Sequence, residues 1–233
     1  HEYSRGTADV VNLKKNRQDM MKRVLFIFLA VWFIFTVVVF VMFFSTTKSD
    51  SKSSGEGMPV LEAIETRASV RAYTDQAVEP EKIEQILRAG MAAPTARNQQ
   101  PWAFVVIDDK ALMTQLADSL PNAKMLASAP VAIVVCGDLS KAIEGEGATY
   151  WIQDASAATE NILLAAHGLG LGAVWTGAYP VMSRVKAIRS VLGLPAQIIP
   201  LNVIPMGYPQ GETAPKDKWK RENIRKNNWA NAY

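Results

Sequence analysis

Ala92-Ala-Pro-Thr-Ala-Arg-Asn-Gln-Gln-Pro-Trp102 closes an amphipathic helix and opens directly into an apolar strand over 103–107. Pro94 and Pro101 fix φ at two points and remove two backbone donors. Between them Thr95, Asn98, Gln99 and Gln100 carry hydroxyl and amide groups that donate as well as accept. A loop stiffened at both ends and lined with neutral two-way polar groups suits a flat heterocycle with alternating donors and acceptors. An ordinary helix-to-strand connection would carry similar punctuation, so the rest of the chain decides between the two.

Upstream, Pro80 is placed to start a helix. Its inner stripe is Ile83, Ile86 and Leu87, set against Glu81, Lys82, Glu84 and Arg88. Before it, 59–66 puts Val60, Leu61 and Ile64 on one helical face, and Arg67-Ala-Ser-Val-Arg71 follows the helix end. Downstream, Asp109 caps a short helix containing Leu112 and Leu116. The continuous apolar run 131–136 reads as a strand covered on both faces. A long helix over 150–169 carries Ala155, Ala157, Ala158, Ala165 and Ala166 on several sides, as expected at a domain centre or a subunit contact. Strands over 173–176 and 198–206 flank a helix over 181–192. Alternating strands and helices give an α+β or α/β layered domain of about 175 residues. From Thr213 the tail is polar but carries Trp219, Ile224 and Trp229, an arm suited to lying over a partner.

The first 57 residues differ in kind. Residues 24–44 hold no charge and little polarity beyond Thr36. As a helix they would span roughly 31 Å, matching a bilayer's hydrocarbon core. Arg5, Lys14, Lys15, Arg17, Lys22 and Arg23 precede them, a basic segment 1–23 that places the amino terminus in the cytoplasm by the positive-inside rule. The stretch 45–57 then reads as a flexible linker, and the domain over 58–233 as lying beyond the membrane. That side is poor in NAD(P)H, a conflict if such a donor is used. Because the chain begins at His1 and Met58 stands where the domain would naturally start, a second reading makes residues 1–57 a fused or mis-joined segment outside the working protein.

The formal net charge of +3 gives no reason to expect nucleic acid. Cys136, the single cysteine, lies in an apolar run and reads as a buried structural thiol. Cys/His metal spacing is absent. Gly168, Gly170 and Gly172 follow a helix instead of opening one, so they read as a helix end and tight turn, not a dinucleotide fingerprint. His167 has no Ser or Asp partner in sequence and sits in a helix's last turn, where the dipole favours imidazolium.

Four pieces carry chemistry. Arg67, Ser69 and Arg71 combine two fixed charges with a hydroxyl, a set suited to a phosphate dianion. Lys216, Lys218, Lys220 and Arg221 form a second basic cluster, of which Lys218 is the favoured phosphate partner. The third piece is the loop from Pro94 to Asn98, and the fourth is Trp175-Thr176-Gly177, where glycine brings backbone N–H groups close to a ligand.

Together, residues 58–233 resemble the FMN-dependent nitroreductase family. The resemblance rests on Arg67-Ala-Ser-Val-Arg71, on Ala93-Pro-Thr-Ala-Arg-Asn-Gln-Gln-Pro-Trp102, on Asn161-Ile-Leu-Leu-Ala-Ala-His-Gly-Leu-Gly170 with Ala173-Val-Trp-Thr-Gly177, and on Ile204-Pro-Met-Gly-Tyr-Pro209. It implies a three-layer α/β/α domain with a mixed central sheet and a homodimer with two interfacial FMN sites. Arg67, Ala68, Ser69 and Arg71 would hold the phosphate and the pyrimidine side of the ring. Pro94, Thr95, Ala96 and Asn98 would come from the other subunit. Trp175, Thr176 and Gly177 would line the isoalloxazine, and Lys218 falls where many members place a phosphate-binding cation. The implied chemistry is hydride transfer from NAD(P)H through flavin N5 to a nitroaromatic or quinone, in ping-pong order, with no protein acid or base. The alternative is a membrane-tethered FMN-binding electron carrier or regulatory flavoprotein without small-molecule turnover.

Overall fold

In the computed structural model the described residues are 58–233 together with Met20, Met21, Phe26, Leu29, Trp32, Phe33 and Thr36, each of the seven helical and exposed. The chain divides into two compact units, His1–Glu56 and a second, Gly57–Tyr233, that carries the sheet and its helices. Its helices are α1 (Val60–Thr66), α2 (Pro80–Met91), α3 (Lys110–Ser119), α4 (Tyr150–Gly168) and α5 (Met182–Leu192). Its strands are β1 (Trp102–Ile107), β2 (Val131–Asp138), β3 (Gly172–Ala173), β4 (Thr176–Gly177) and β5 (Ile198–Gly207).

The sheet runs β1-β2-β5-β3, with β4 also on β5, and every strand pair is antiparallel. This corrects the expectation of a mixed sheet. β1 pairs with β2, and β5 runs antiparallel to β2, β3 and β4 alike; among the described residues the single parallel pairing is a bridge from Ser69 to Ala173. Alternation along the strands feeds two cores. Val134 and Val203 meet α3 and α5 on one face, through Leu116 and Ile188. Ile133 and Ile204 meet α2 and α4 on the other, through Ile86 and Ile162. The three layers are thus α3–α5, sheet, and α2–α4. All eight residues of β2 are buried, and desolvation pushes the Cys136 thiol up to about 12.

Pro80 starts α2 as expected. Asp109 caps α3 by accepting the Leu112 N–H at 2.9 Å. The strand expected over 173–176 is instead the two short pieces β3 and β4, separated by Val174 and Trp175. α1 departs further from expectation. Its inner-face candidates Val60, Leu61 and Ile64 are 67%, 69% and 55% exposed, and only Ala63 is buried. The face is apolar, and among the described residues none covers it.

The membrane anchor expected over 24–44 is corrected as well. Among the described residues no helix is long and apolar enough to cross a membrane. A span needs about 20 apolar residues in succession. The longest described helix, α4, has 19 residues but carries Asp154, Glu160 and His167 and packs inside the domain. The remaining positions of 24–44, the basic segment and the linker lie outside the described residues, and the single-pass placement with its topology does not stand.

Candidate functional site: a cationic cavity beside the long helix

The segment after α1 is fixed to the sheet by its backbone. The Val70 N–H donates to the Ala173 carbonyl at 3.1 Å. The Tyr73 hydroxyl lies 2.7 Å from the Val70 carbonyl and 3.0 Å from that of Pro205, and burial pushes this phenol well above its usual range, so it stays a donor. Contact with β3 is possible because residue 172 is glycine: a Cβ there would fall 2.6 Å from Val70 Cβ. Gly170, at φ +79°, turns the chain out of α4 into β3, the helix-end role expected of it.

This mounting presents Arg67, Ala68, Ser69 and Arg71 to a cavity of about 410 Å³, closed on its other side by Thr213, Ala214, Lys216 and Lys218. Residues nearly 150 positions apart therefore meet at one place. Arg67 is the least exposed of the cations; its Nε lies 3.4 Å from Glu160 Oε1 on α4. Lys218 lines the cavity together with Arg67 and Arg71. Lys216, passed over in the sequence, lines the cavity as well, and nothing in the spacing of a lysine-rich tail distinguishes the two.

The other expected pieces lie elsewhere on the chain. The loop with Pro94, Thr95, Ala96 and Asn98 does not line this cavity; it is held at the amino-terminal part of α4, where Asp154 Oδ1 accepts the Ala96 N–H at 3.0 Å. Its backbone is unusual: Arg97, Asn98 and Gln100 have φ of 53°, 55° and 50°. Non-glycine residues in that region cost on the order of 1–3 kcal/mol each and persist when surroundings hold them. The Gln100 N–H donates to Thr95 Oγ1 at 3.1 Å, a clamp across the loop. Trp175, Thr176 and Gly177 are also outside the cavity lining. Thr176 is buried and donates its hydroxyl to the Val203 carbonyl at 2.6 Å. Trp175 is partly exposed, and a Cβ built on Gly177 would meet only Trp175 Nε1, at 3.9 Å. The Gly177 carbonyl accepts from Arg184 Nη1 at 3.1 Å.

Sequence reading missed the partners on α4. Asp154, Glu160 and His167 lie on one helix and hold, respectively, the loop, Arg67 and Thr66. His167 Nε2 is 2.8 Å from Thr66 Oγ1, which itself donates to the Glu62 carbonyl at 2.6 Å. The expected dipole-favoured imidazolium is corrected: burial, aided by Arg67 and opposed by Glu62, holds the His167 pKa below its ordinary value.

The sequence profile of the nitroreductase family matches residues 64–123 and 114–208, which include most of this arrangement. The chain belongs to the nitroreductase family. A relative from Methanothermobacter thermautotrophicus, provisionally named NADH dehydrogenase/NAD(P)H nitroreductase, is 44% identical over 173 residues, covering 74% of this chain and 88% of the relative. A crystal structure from Parabacteroides distasonis, provisionally given the same name, shares 47% identity and a TM-score of 0.70, covering 73% of this chain and 98% of that one. A Desulfovibrio desulfuricans structure, provisionally named a nitroreductase and solved in complex with FMN, shares 34% identity and a TM-score of 0.66, with coverage of 74% and 98%.

Proposed function

We propose that the cationic cavity holds the phosphate of FMN, and that two copies of the chain form the complete flavin site. The chain is an NAD(P)H-dependent FMN oxidoreductase of the nitroreductase family. The observation that carries the phosphate assignment is the cavity itself, where two guanidiniums, two ammoniums and the Ser69 hydroxyl meet from opposite ends of the domain. A phosphate dianion fits that donor set, and Arg offers it fixed, paired N–H groups.

When bound, FMN would supply two-electron redox chemistry between NAD(P)H and an oxidised acceptor such as a nitroaromatic or quinone. The chain's own work is binding and electrostatics. Arg67 and Arg71 neutralise the phosphate. Trp175 and Gly177 border the isoalloxazine, Gly177 leaving the backbone open to a flat ring. Thr176 serves from within, its hydroxyl holding β4 to β5. Pro94, Thr95, Ala96 and Asn98 reach the flavin of the other subunit, and fixed donors near the pyrimidine favour negative charge there. No side chain is assigned as acid or base. The uncovered apolar face of α1, bordering a groove lined by Met58, Ala89, Leu164 and Ala165, supports the pairing of two copies.

The test is a visible spectrum of the purified full chain, followed by steady-state oxidation of NADH and of NADPH with a nitroaromatic and a quinone. The expected result is a yellow protein, bleached by one or both donors under anaerobic conditions, that turns over an acceptor. A colourless protein that stays colourless after soaking in FMN overturns the proposal. Bound FMN without turnover of any acceptor would make the chain an electron carrier.

A further inference from the structure

We infer that Asp154 is a positioning residue for the flavin, acting through the loop from Pro94 to Gln100; this rests on the FMN reading above. Asp154 is 6% exposed, in the middle of a domain where every other carboxylate except Asp138 is at least partly open to water. Burying a carboxylate is costly unless something accepts its charge. What Asp154 meets is a backbone N–H, that of Ala96, at 3.0 Å. The residue it holds immediately precedes Arg97 and Asn98, two of the four described non-glycine residues in the left-handed region, three of which lie in this loop.

That combination separates a working loop from a plain connection. A linker under no demand would relax to ordinary φ or place glycine at such positions. Here strain and restraint occur together. Asp154 holds the loop from α4 at Ala96, and Thr95 Oγ1 holds it from within at the Gln100 N–H. Between these two points lie Asn98 and its amide, which bonds to Gln100 Nε2 at 3.0 Å. Loss of the Asp154 bond frees the strained residues to relax and carries Ala96 and Asn98 away from where a flavin would meet them.

The experiment compares full-length wild type with Asp154→Ala and Asp154→Asn. It measures FMN affinity by quenching of flavin fluorescence and the position of the bound flavin's visible band. Asn keeps a carbonyl oxygen able to accept the Ala96 N–H, whereas Ala leaves that N–H without its partner. The expected result is FMN affinity about tenfold weaker in Asp154→Ala, with a displaced visible band, while Asp154→Asn stays within about threefold of wild type with the band in place. An Asp154→Ala protein that binds FMN as tightly as wild type, with an unshifted band, overturns the inference. So does equal weakening in both variants, since a purely structural carboxylate would show that pattern. Should Asp154→Ala not fold, Asp154→Glu replaces it: the longer side chain carries its oxygens away from Ala96, and wild-type affinity there overturns the inference. Wild type that takes up no FMN overturns the proposed function with it, so the two failures are distinguishable.

Discussion

Arg67 and Glu160 form an ion pair at the edge of the cationic cavity, Nε to Oε1 3.4 Å, with the carboxylate about half exposed. Glu160 orients Arg67, yet it also sets negative charge beside a place suited to a phosphate. An exposed pair of this kind is worth about 1 kcal/mol or less. Glu160→Gln is therefore expected to tighten FMN binding by up to about fivefold, read by fluorescence titration. Weaker binding instead would show that orienting Arg67 matters more than the repulsion.

Arg71 also lines the cavity, but its recorded bond is only a long one, 3.5 Å, to the Ser69 carbonyl. Removing it should cost the phosphate and little else. Arg71→Ala is expected to weaken FMN binding about 10- to 100-fold, the range for a charged hydrogen bond of about 1.5–3 kcal/mol. Riboflavin, which lacks the phosphate, should bind both proteins alike. Equal loss for the two ligands would place Arg71 at the ring.

Gly172 lies against Val70, and a Cβ there would overlap it at 2.6 Å. Gly172→Ala must push β3 and the Arg67–Arg71 segment apart. Overpacking of this kind costs about 1–3 kcal/mol. A lower Tm in thermal melts is expected together with weaker FMN binding, whereas Gly193→Ala at the exposed end of α5 should lower Tm alone.

Folding holds the His167 pKa below its ordinary value, near 6.5 in a free chain. The unfolded chain then binds that proton more readily than the folded one. The contribution to stability is complete above about pH 6.5 and falls as acidification proceeds from there toward the folded value. Urea midpoints measured from pH 7.5 down to 5 should decline in wild type. His167→Gln, which keeps a donor for Thr66 but does not titrate, should decline less; parallel curves would assign the acid sensitivity to other groups.

Much of the fold was legible because strand and helix periods are strong signals here. The apolar run in β2, the Pro80 start and the Asp109 cap each follow from one residue type in one local setting. α1 misled because periodicity identifies an apolar face without saying what covers it. The cavity was legible in pieces: Arg67, Ser69, Arg71 and Lys218 stand out in the sequence as types suited to a phosphate, and the fold brings them to one place. Asp154, Glu160 and His167 were not: their partners are an alanine backbone, an arginine 93 positions upstream and a threonine 101 positions upstream, and no local pattern announces such meetings. The left-handed run in the loop was equally hidden, because nothing but asparagine's tolerance hints at it.

α4 carries its three attachments like marks on a ruler. Asp154 and His167 are separated along the axis by about 20 Å, with Glu160 between them. Whatever tilts or shifts that rod displaces all three together and leaves their spacing intact. Mutations in the sheet below can thus be absorbed without retuning the grip above, while a break within the rod itself, such as Ala157→Pro, would uncouple one end from the other.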